Sequence, residues 1–378
     1  MSAKGDSRAS GSSGASLGAW EQGVERAAGD PVRLADLEAL ALAKLDPGVG
    51  SYYSGAANDE VTLADNLAAF RRWRFVPRIG TEIEGRDTSV EVLGRRWPTP
   101  FMVAPMALQR MADPDGEVAV ARACAARGLT MSLSTVGSST IEDVAAAGAP
   151  TWFQLYLLRD RLRNRELLDR AAAAGYEAII LTMDAPILGR RERDIRTGFH
   201  LPDGVGYANI RRGALKRGDT YGDDEIKPSN TWDDLAWVVG ATKLPVIVKG
   251  VLHPGDAERA IGLGAAGVGV SNHGGRQLDG SIAALDALPA VVDAVADRVP
   301  VLLDSGIRRG TDILLALSLG ARAVMLGRPV LWALTWNGEA GVGRAFDLLA
   351  AELELALGLA GLRCVADATR DLVVPITG

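Results

Sequence analysis

One of the chain's three histidines stands among residues suited to taking a proton from a bound anion. His273 lies in Ser271-Asn272-His273-Gly274-Gly275-Arg276-Gln277-Leu278-Asp279. The two glycines let the backbone pass close to a ligand, the imidazole titrates near neutrality, and Arg276 supplies positive charge. That set suits an anionic substrate that must lose a proton. A histidine that only packs or caps is the blander reading, and the neighbouring Gly-Gly-Arg weighs against it. His200, beside an Arg-rich stretch, and His253, before Pro254, read as solvated or structural. A second chemistry is written further on. Asp304-Ser305-Gly306-Ile307-Arg308-Arg309-Gly310 and Gly327-Arg328-Pro329 join glycine turns to arginines. Such segments bind phosphate through backbone N–H groups, a helix N-terminus and guanidinium charge.

These segments need a scaffold that brings them together. An Ala-rich helix ending in Gly, followed by a short apolar strand, recurs at Ala126-Arg127-Gly128-Leu129-Thr130, Ala147-Gly148-Ala149, Ala174-Gly175-Tyr176, Leu263-Gly264-Ala265 and Leu319-Gly320-Ala321. Serial strand-helix units predict a parallel sheet, with strands at 101–104, 130–133, 151–156, 178–182, 246–249, 267–271, 301–304 and 323–326. Eight strands predict an α/β fold of the closed (β/α)8 TIM barrel type, whose reactive groups stand where strands end and loops begin. Polar residues close most of the later strands: Gln154 and Tyr156, Thr182 and Asp184, Lys249, Ser271 and His273, and Asp304. Each alone reads as a helix cap; together they mark a site.

The barrel is expected over 99–378, with a C-terminal helix. Residues 31–98 should form helices at 34–45, stopped by Asp46-Pro47-Gly48, and at 63–73, then a hairpin at Val90, Val92 and Gly94 that plugs one end of the barrel. Tyr52-Tyr53-Ser54-Gly55-Ala56 lies between the two helices. Residues 1–30, small and polar, predict a flexible tail. The stretch 193–232, rich in Gly, Asp and Arg, interrupts the repeat as an active-site lid or a disordered insertion would.

Composition narrows the function. The 378 residues are 48% hydrophobic and carry a net charge of −6, which fits a protein with a sizeable core and gives nucleic acid no general attraction. No run of apolar residues long enough to span a membrane and no signal-peptide core appears, so a cytoplasmic protein is expected. Cys124 and Cys364 have no metal-ligand spacing, and no metal is expected.

With these segments in order, the sequence resembles the FMN-dependent 2-hydroxy acid oxidase and dehydrogenase family, from about Leu34 to Leu362. The most specific segments are Ser271 to Asp279, Phe153-Gln154-Leu155-Tyr156, Leu181-Thr182-Met183-Asp184 with Gly189-Arg190-Arg191, and Asp304 to Gly310. The resemblance implies an enzyme that oxidises a small (S)-2-hydroxy acid to the 2-oxo acid, as a homo-oligomer, passing electrons to oxygen, a quinone or another protein. It implies FMN held by Pro105, Met106, Ala107, Ser134, Gln154, Thr182, Lys249, Ser271, Asp304, Gly306, Arg308, Gly327 and Arg328. It further implies His273 as base, Asp184 steadying the imidazolium, Tyr156 on the substrate hydroxyl, and Arg276 on the carboxylate with help from Tyr52 and Arg191. Departures are informative. Val136 occupies a position that is aromatic in glycolate oxidase, which leaves room for a methyl or larger substituent, and Ser305 and Asp113 stand where Gly and His are usual. Alternatives are another FMN barrel, such as a flavin-type isopentenyl diphosphate isomerase, and a non-enzymatic phosphate-ligand sensor. The former lacks need of His273 with Arg276, the latter of any base.

Overall fold

Five glycines set the rhythm of the chain. Gly128, Gly148, Gly175, Gly264 and Gly320 have φ between 64° and 103°, the left-handed conformation that ends a helix and turns the backbone into the next strand. The computed structural model describes residues 30–210 and 226–376. The expected tail, apart from Asp30, and the middle of the 193–232 stretch lie outside the described residues. The strands are β1 (Phe101–Met106), β2 (Met131–Ser134), β3 (Thr151–Leu155), β4 (Ala178–Thr182), β5 (Val246–Val251), β6 (Gly267–Val270), β7 (Val301–Leu303) and β8 (Ala323–Leu326). Each lies within two residues of its expected span. Neighbours pair in parallel and in chain order, and β8 closes on β1 through Val324 opposite Phe101. The fold is the (β/α)8 barrel.

Side chains alternate faces along a strand, so each strand offers one set to the surrounding helices and another to the barrel interior. Val103, Phe153, Ile179, Leu181 and Val324 pack in the large outer core with helix residues such as Leu167 and Leu314. Met102, Trp152, Ala178, Ile180, Ile247, Leu302, Ala323 and Met325 fill the interior. The hairpin of Val90–Val92 and Arg95–Trp97 adds Val92 and Trp97 to that interior cluster, as the expected plug should. The Trp97 and Trp152 rings lie 5.5 Å apart. One inward position further along the strands the apolar residues give way to Gln154, Thr182, Lys249 and Asp304. The hairpin seals one end; the other is polar.

Two helix boundaries differ from expectation. α1 (Leu34–Leu42) ends three residues short of the expected Leu45, and Asp46-Pro47-Gly48 instead starts α2 (Pro47–Ser54), because the Asp46 side chain accepts the Gly48 and Val49 N–H groups and Pro47 needs no donor in the first turn. The segment expected as a helix over 63–73 is α3 (Val61–Ala68) with a single tight turn at Ala69–Arg72. Trp73 belongs instead to a strand, Trp73–Phe75, paired antiparallel with Val373–Pro375. That partner lies at the far end of the chain, beyond the reach of local periodicity. The C-terminal helical segment, Arg328–Ala360, is broken where Asn337 and Gly338 leave the helical conformation, and it packs against α1.

Candidate active site

The polar end of the interior is a connected network. Ser134 Oγ donates to Gln154 Oε1 at 2.9 Å, and Gln154 Nε2 donates to Thr182 Oγ1 at 3.0 Å. Lys249 Nζ donates to Ser271 Oγ at 2.8 Å and pairs with Asp304 Oδ2 at 3.1 Å. Burial opposes the Lys249 charge, but Asp304 and Asp184 outweigh it and hold the ammonium above its ordinary range. Gly250 follows with φ 104°, and a Cβ there would sit 2.4 Å from Asp184 Cβ, so glycine alone lets β5 pass this carboxylate.

His273 stands just beyond β6 in a left-handed conformation, φ 59°, which costs a non-glycine residue about 1–3 kcal/mol. Its surroundings hold it there. The neighbouring Asn272 exchanges two hydrogen bonds with Asn66 of α3, at 2.8 and 2.7 Å, and the His273 N–H donates to Ser271 Oγ at 3.0 Å. Nδ1 of the ring lies 3.0 Å from Asp184 Oδ1, and Nε2 lies 3.3 Å from the Tyr156 hydroxyl. The carboxylate favours the proton on Nδ1 and leaves Nε2 able to accept. Burial pushes His273 below the usual imidazole range; Asp184 opposes that shift, while Lys249 and Arg191 add to it. Burial also acts on Asp184, raising it, but His273 and Lys249 prevail and keep it a carboxylate.

Arginines line the rest of the site. Arg276 Nη1 donates to the Tyr52 and Gly55 carbonyls, at 2.8 and 2.7 Å, and its guanidinium lies 5.1 Å from the Tyr52 ring centroid. Arg191 lies 5.9 Å from the same ring, whose position is fixed by stacking on Phe199. Arg328 donates to the Tyr53, Gly274 and Gly55 carbonyls, and Arg308 to the Ile307 carbonyl. Burial, then Arg276 and Arg308, push Arg328 down to about 9, and burial lowers Arg308 too. Arg308 and Arg328 donate to neutral carbonyls and are disfavoured as cations by burial, so a neighbouring anion would stabilise them. A phosphate dianion would answer that need.

These groups converge on one cavity, open to solvent. All the residues that the resemblance assigns to FMN, substrate or catalysis lie in its wall except Asp184, Gln154 and Ser271. Those three stand immediately behind, each hydrogen-bonded to a wall residue: Asp184 to His273, Gln154 to Ser134 and Thr182, Ser271 to Lys249. Val136 is buried and in the wall. His253 instead caps the helix Pro254–Gly262, and His200 is exposed.

The residues sequence reasoning missed are mostly supports. Glu117, wholly buried, accepts the Gln109 and Ser138 N–H groups and the Ser138 and Ser139 hydroxyls, tying the loops after β1 and β2 together around Val136. Nothing about a Glu in an Ala-rich helix signals that role.

The family described as FMN-dependent dehydrogenase matches residues 41–375 of the chain. The chain belongs to that family. It is therefore an enzyme and FMN is its cofactor. The chain is 45% identical to an L-lactate oxidase from a Nostoc species, across 89% of this chain and 96% of that protein. It is 43% identical to 2-hydroxyacid oxidase 1 of Homo sapiens, across 89% and 95%. Among solved structures, mandelate oxidase with (S)-4-hydroxymandelic acid superposes with a TM-score of 0.87 at 42% identity, covering 92% of this chain and 99% of that one. The activity of this FMN-dependent enzyme is oxidation of a 2-hydroxy acid. Among the described residues no helix is long and apolar enough to cross a membrane.

Proposed function

We propose that the enzyme oxidises an (S)-2-hydroxy acid bearing a methyl or larger side chain to its 2-oxo acid, with His273 as the base. The observation that carries this reading is the line Asp184, His273, Tyr156, with separations of 3.0 and 3.3 Å, opening into the cavity beside Arg276 and Arg191. Oxidation of the carbinol breaks the C2–H and O–H bonds and removes two electrons. FMN, when bound, would supply the acceptor for the two electrons and for the second hydrogen. His273 takes one proton on Nε2, and Asp184 steadies the imidazolium that results. Tyr156 holds the substrate hydroxyl beside that nitrogen. Arg276, with Arg191 and Tyr52, grips the carboxylate, for which a planar guanidinium offers two parallel donors.

The residues available to FMN divide by chemistry. Pro105, Met106, Ala107, Ser134, Gln154, Thr182 and Ser271 offer backbone and neutral polar groups to a ring, Asp304 offers a carboxylate to hydroxyls, and Gly306, Arg308, Gly327 and Arg328 offer positive charge and open backbone to a phosphate. Lys249 places a buried ammonium where reduction would add negative charge.

Two features favour a substrate larger than glycolate. Val136 lines the cavity, and a second cavity with apolar walls, including Pro186, Ile187, Leu188 and Ile226, shares Tyr156, Arg191 and His273 with the first. Reduced enzyme would hand its electrons to oxygen or a quinone. The test is anaerobic bleaching of the bound flavin with glycolate, lactate and mandelate, followed by air. Lactate or mandelate should bleach fastest; fastest bleaching by glycolate would overturn the size assignment, and prompt recovery of colour in air identifies oxygen as acceptor.

A further inference from the structure

Ser305 lies in the cavity wall on a backbone that its side chain resists. Its φ is 74°, in the left-handed region that a glycine would enter freely and that a serine side chain disfavours. Its hydroxyl both donates and accepts. It donates to Asp304 Oδ1 at 2.7 Å and accepts the Gly274 N–H at 3.1 Å. The other Asp304 oxygen meets Lys249 Nζ at 3.1 Å, Lys249 donates to Ser271 Oγ at 2.8 Å, and Ser271 Oγ accepts the His273 N–H at 3.0 Å. His273 and Gly274 are consecutive, so these contacts close a ring.

We propose that Ser305 is a positioning residue that locks the His273 loop to the Lys249–Asp304 pair, fixing the base and the cavity's buried ammonium relative to each other. The inference rests on His273 being the base. Removing the hydroxyl has two consequences. Gly274 N–H loses its acceptor, so the strained His273 backbone loses one of its restraints. Asp304 Oδ1 loses its donor, so the carboxylate is free to turn both oxygens on Lys249 and draw positive charge away from the cavity.

The experiment uses the FMN-loaded enzyme with Ser305→Gly and Ser305→Ala, beside His273→Asn. Ser305→Gly relieves the backbone strain and should keep or raise the thermal midpoint, which separates a loss of positioning from a loss of folding. Both Ser305 variants should retain FMN, reduce it roughly 10-fold more slowly under anaerobic conditions, the worth of one ordinary hydrogen bond, and show a lower midpoint potential of the bound flavin. Wild-type rate and potential in both, while His273→Asn loses reduction, would overturn the role of Ser305 and leave the base assignment standing. Normal reduction by His273→Asn would overturn the base assignment and this inference with it.

Discussion

The two ends of the barrel interior are built from the same strands and differ by one inward step. On β3 that step runs from Trp152 to Gln154, on β4 from Ile180 to Thr182, on β5 from Ile247 to Lys249, and past β7 from Leu302 to Asp304. At the hairpin end Trp152, Ile180, Ile247 and Leu302 are all apolar, and the Trp97 and Trp152 rings lie tilted by 58°. At the open end Gln154, Thr182, Lys249 and Asp304 are all hydrogen-bonded or ion-paired, and the Lys249–Asp304 pair is almost fully buried. A strand therefore separates stability from chemistry by about 7 Å, two residues' rise. The apolar layer holds the strand register; the polar layer inherits that register as site geometry.

The strongest way to break this division is at the open end. His273→Asn keeps approximate bulk and removes the base, so flavin reduction by substrate should fall about 10²–10⁴-fold while FMN stays bound and the thermal midpoint moves little. Single-turnover reduction followed by absorbance measures this, and an undiminished rate would exclude His273. The wild-type pH profile sharpens the point. Because burial lowers the His273 pKa, its neutral form persists below about pH 6.5, the ordinary imidazole value. The acid limb of kcat/KM should lie below that pH, activity falling as His273 gains the proton that blocks its lone pair.

The complementary change is at the sealed end. Trp152→Ala removes a buried indole packed on Trp97 and should cost about 3–5 kcal/mol of stability, read by denaturant unfolding. The folded fraction should keep its turnover within about 3-fold, since the cavity wall begins a layer above. A large loss of kcat with unchanged stability would show that the two layers are not separable.

Much of this division was legible in the sequence because it is local. The helix-Gly-strand rhythm, met five times, implied serial strand-helix units and a barrel, and the polar residues closing the later strands marked Gln154, Thr182 and Lys249 as site residues. What stayed hidden depends on distant contacts. The strand at Trp73 needs Val373–Pro375, α2 starts on residues that read equally well as a helix stop, and Glu117 acquires its role only when two loops fold over it. Gly250 reads as an interruption of a strand until Asp184 is seen beside it. Ser305 was visible as a departure, but its purpose lay in a hydrogen bond to Gly274 thirty-one residues away in sequence.

The smallest expected effect concerns substrate choice and lies between the two layers, in the loop after β2. Val136 has its backbone held on both sides: its N–H donates to Ser134 Oγ at 3.3 Å and its carbonyl accepts the Leu108 N–H at 3.3 Å. Its side chain lines the same cavity as Tyr156 and Arg276. A fixed backbone makes the volume of the side chain the variable that sets space beside the substrate. A methylene in an apolar pocket is worth about 1–3 kcal/mol, or roughly 10–200-fold in kcat/KM. Lactate or mandelate should therefore exceed glycolate on the wild-type enzyme, and Val136→Trp should reverse the order by filling that space. If Val136 only packs against the loops that Glu117 ties together, the indole would overpack them, lowering stability by about 1–3 kcal/mol and leaving the ranking intact. Measuring kcat/KM for the three acids on both proteins, with a thermal midpoint for each, separates these outcomes. A reversed ranking assigns Val136 to specificity; an unchanged ranking with a lowered midpoint assigns it to the scaffold.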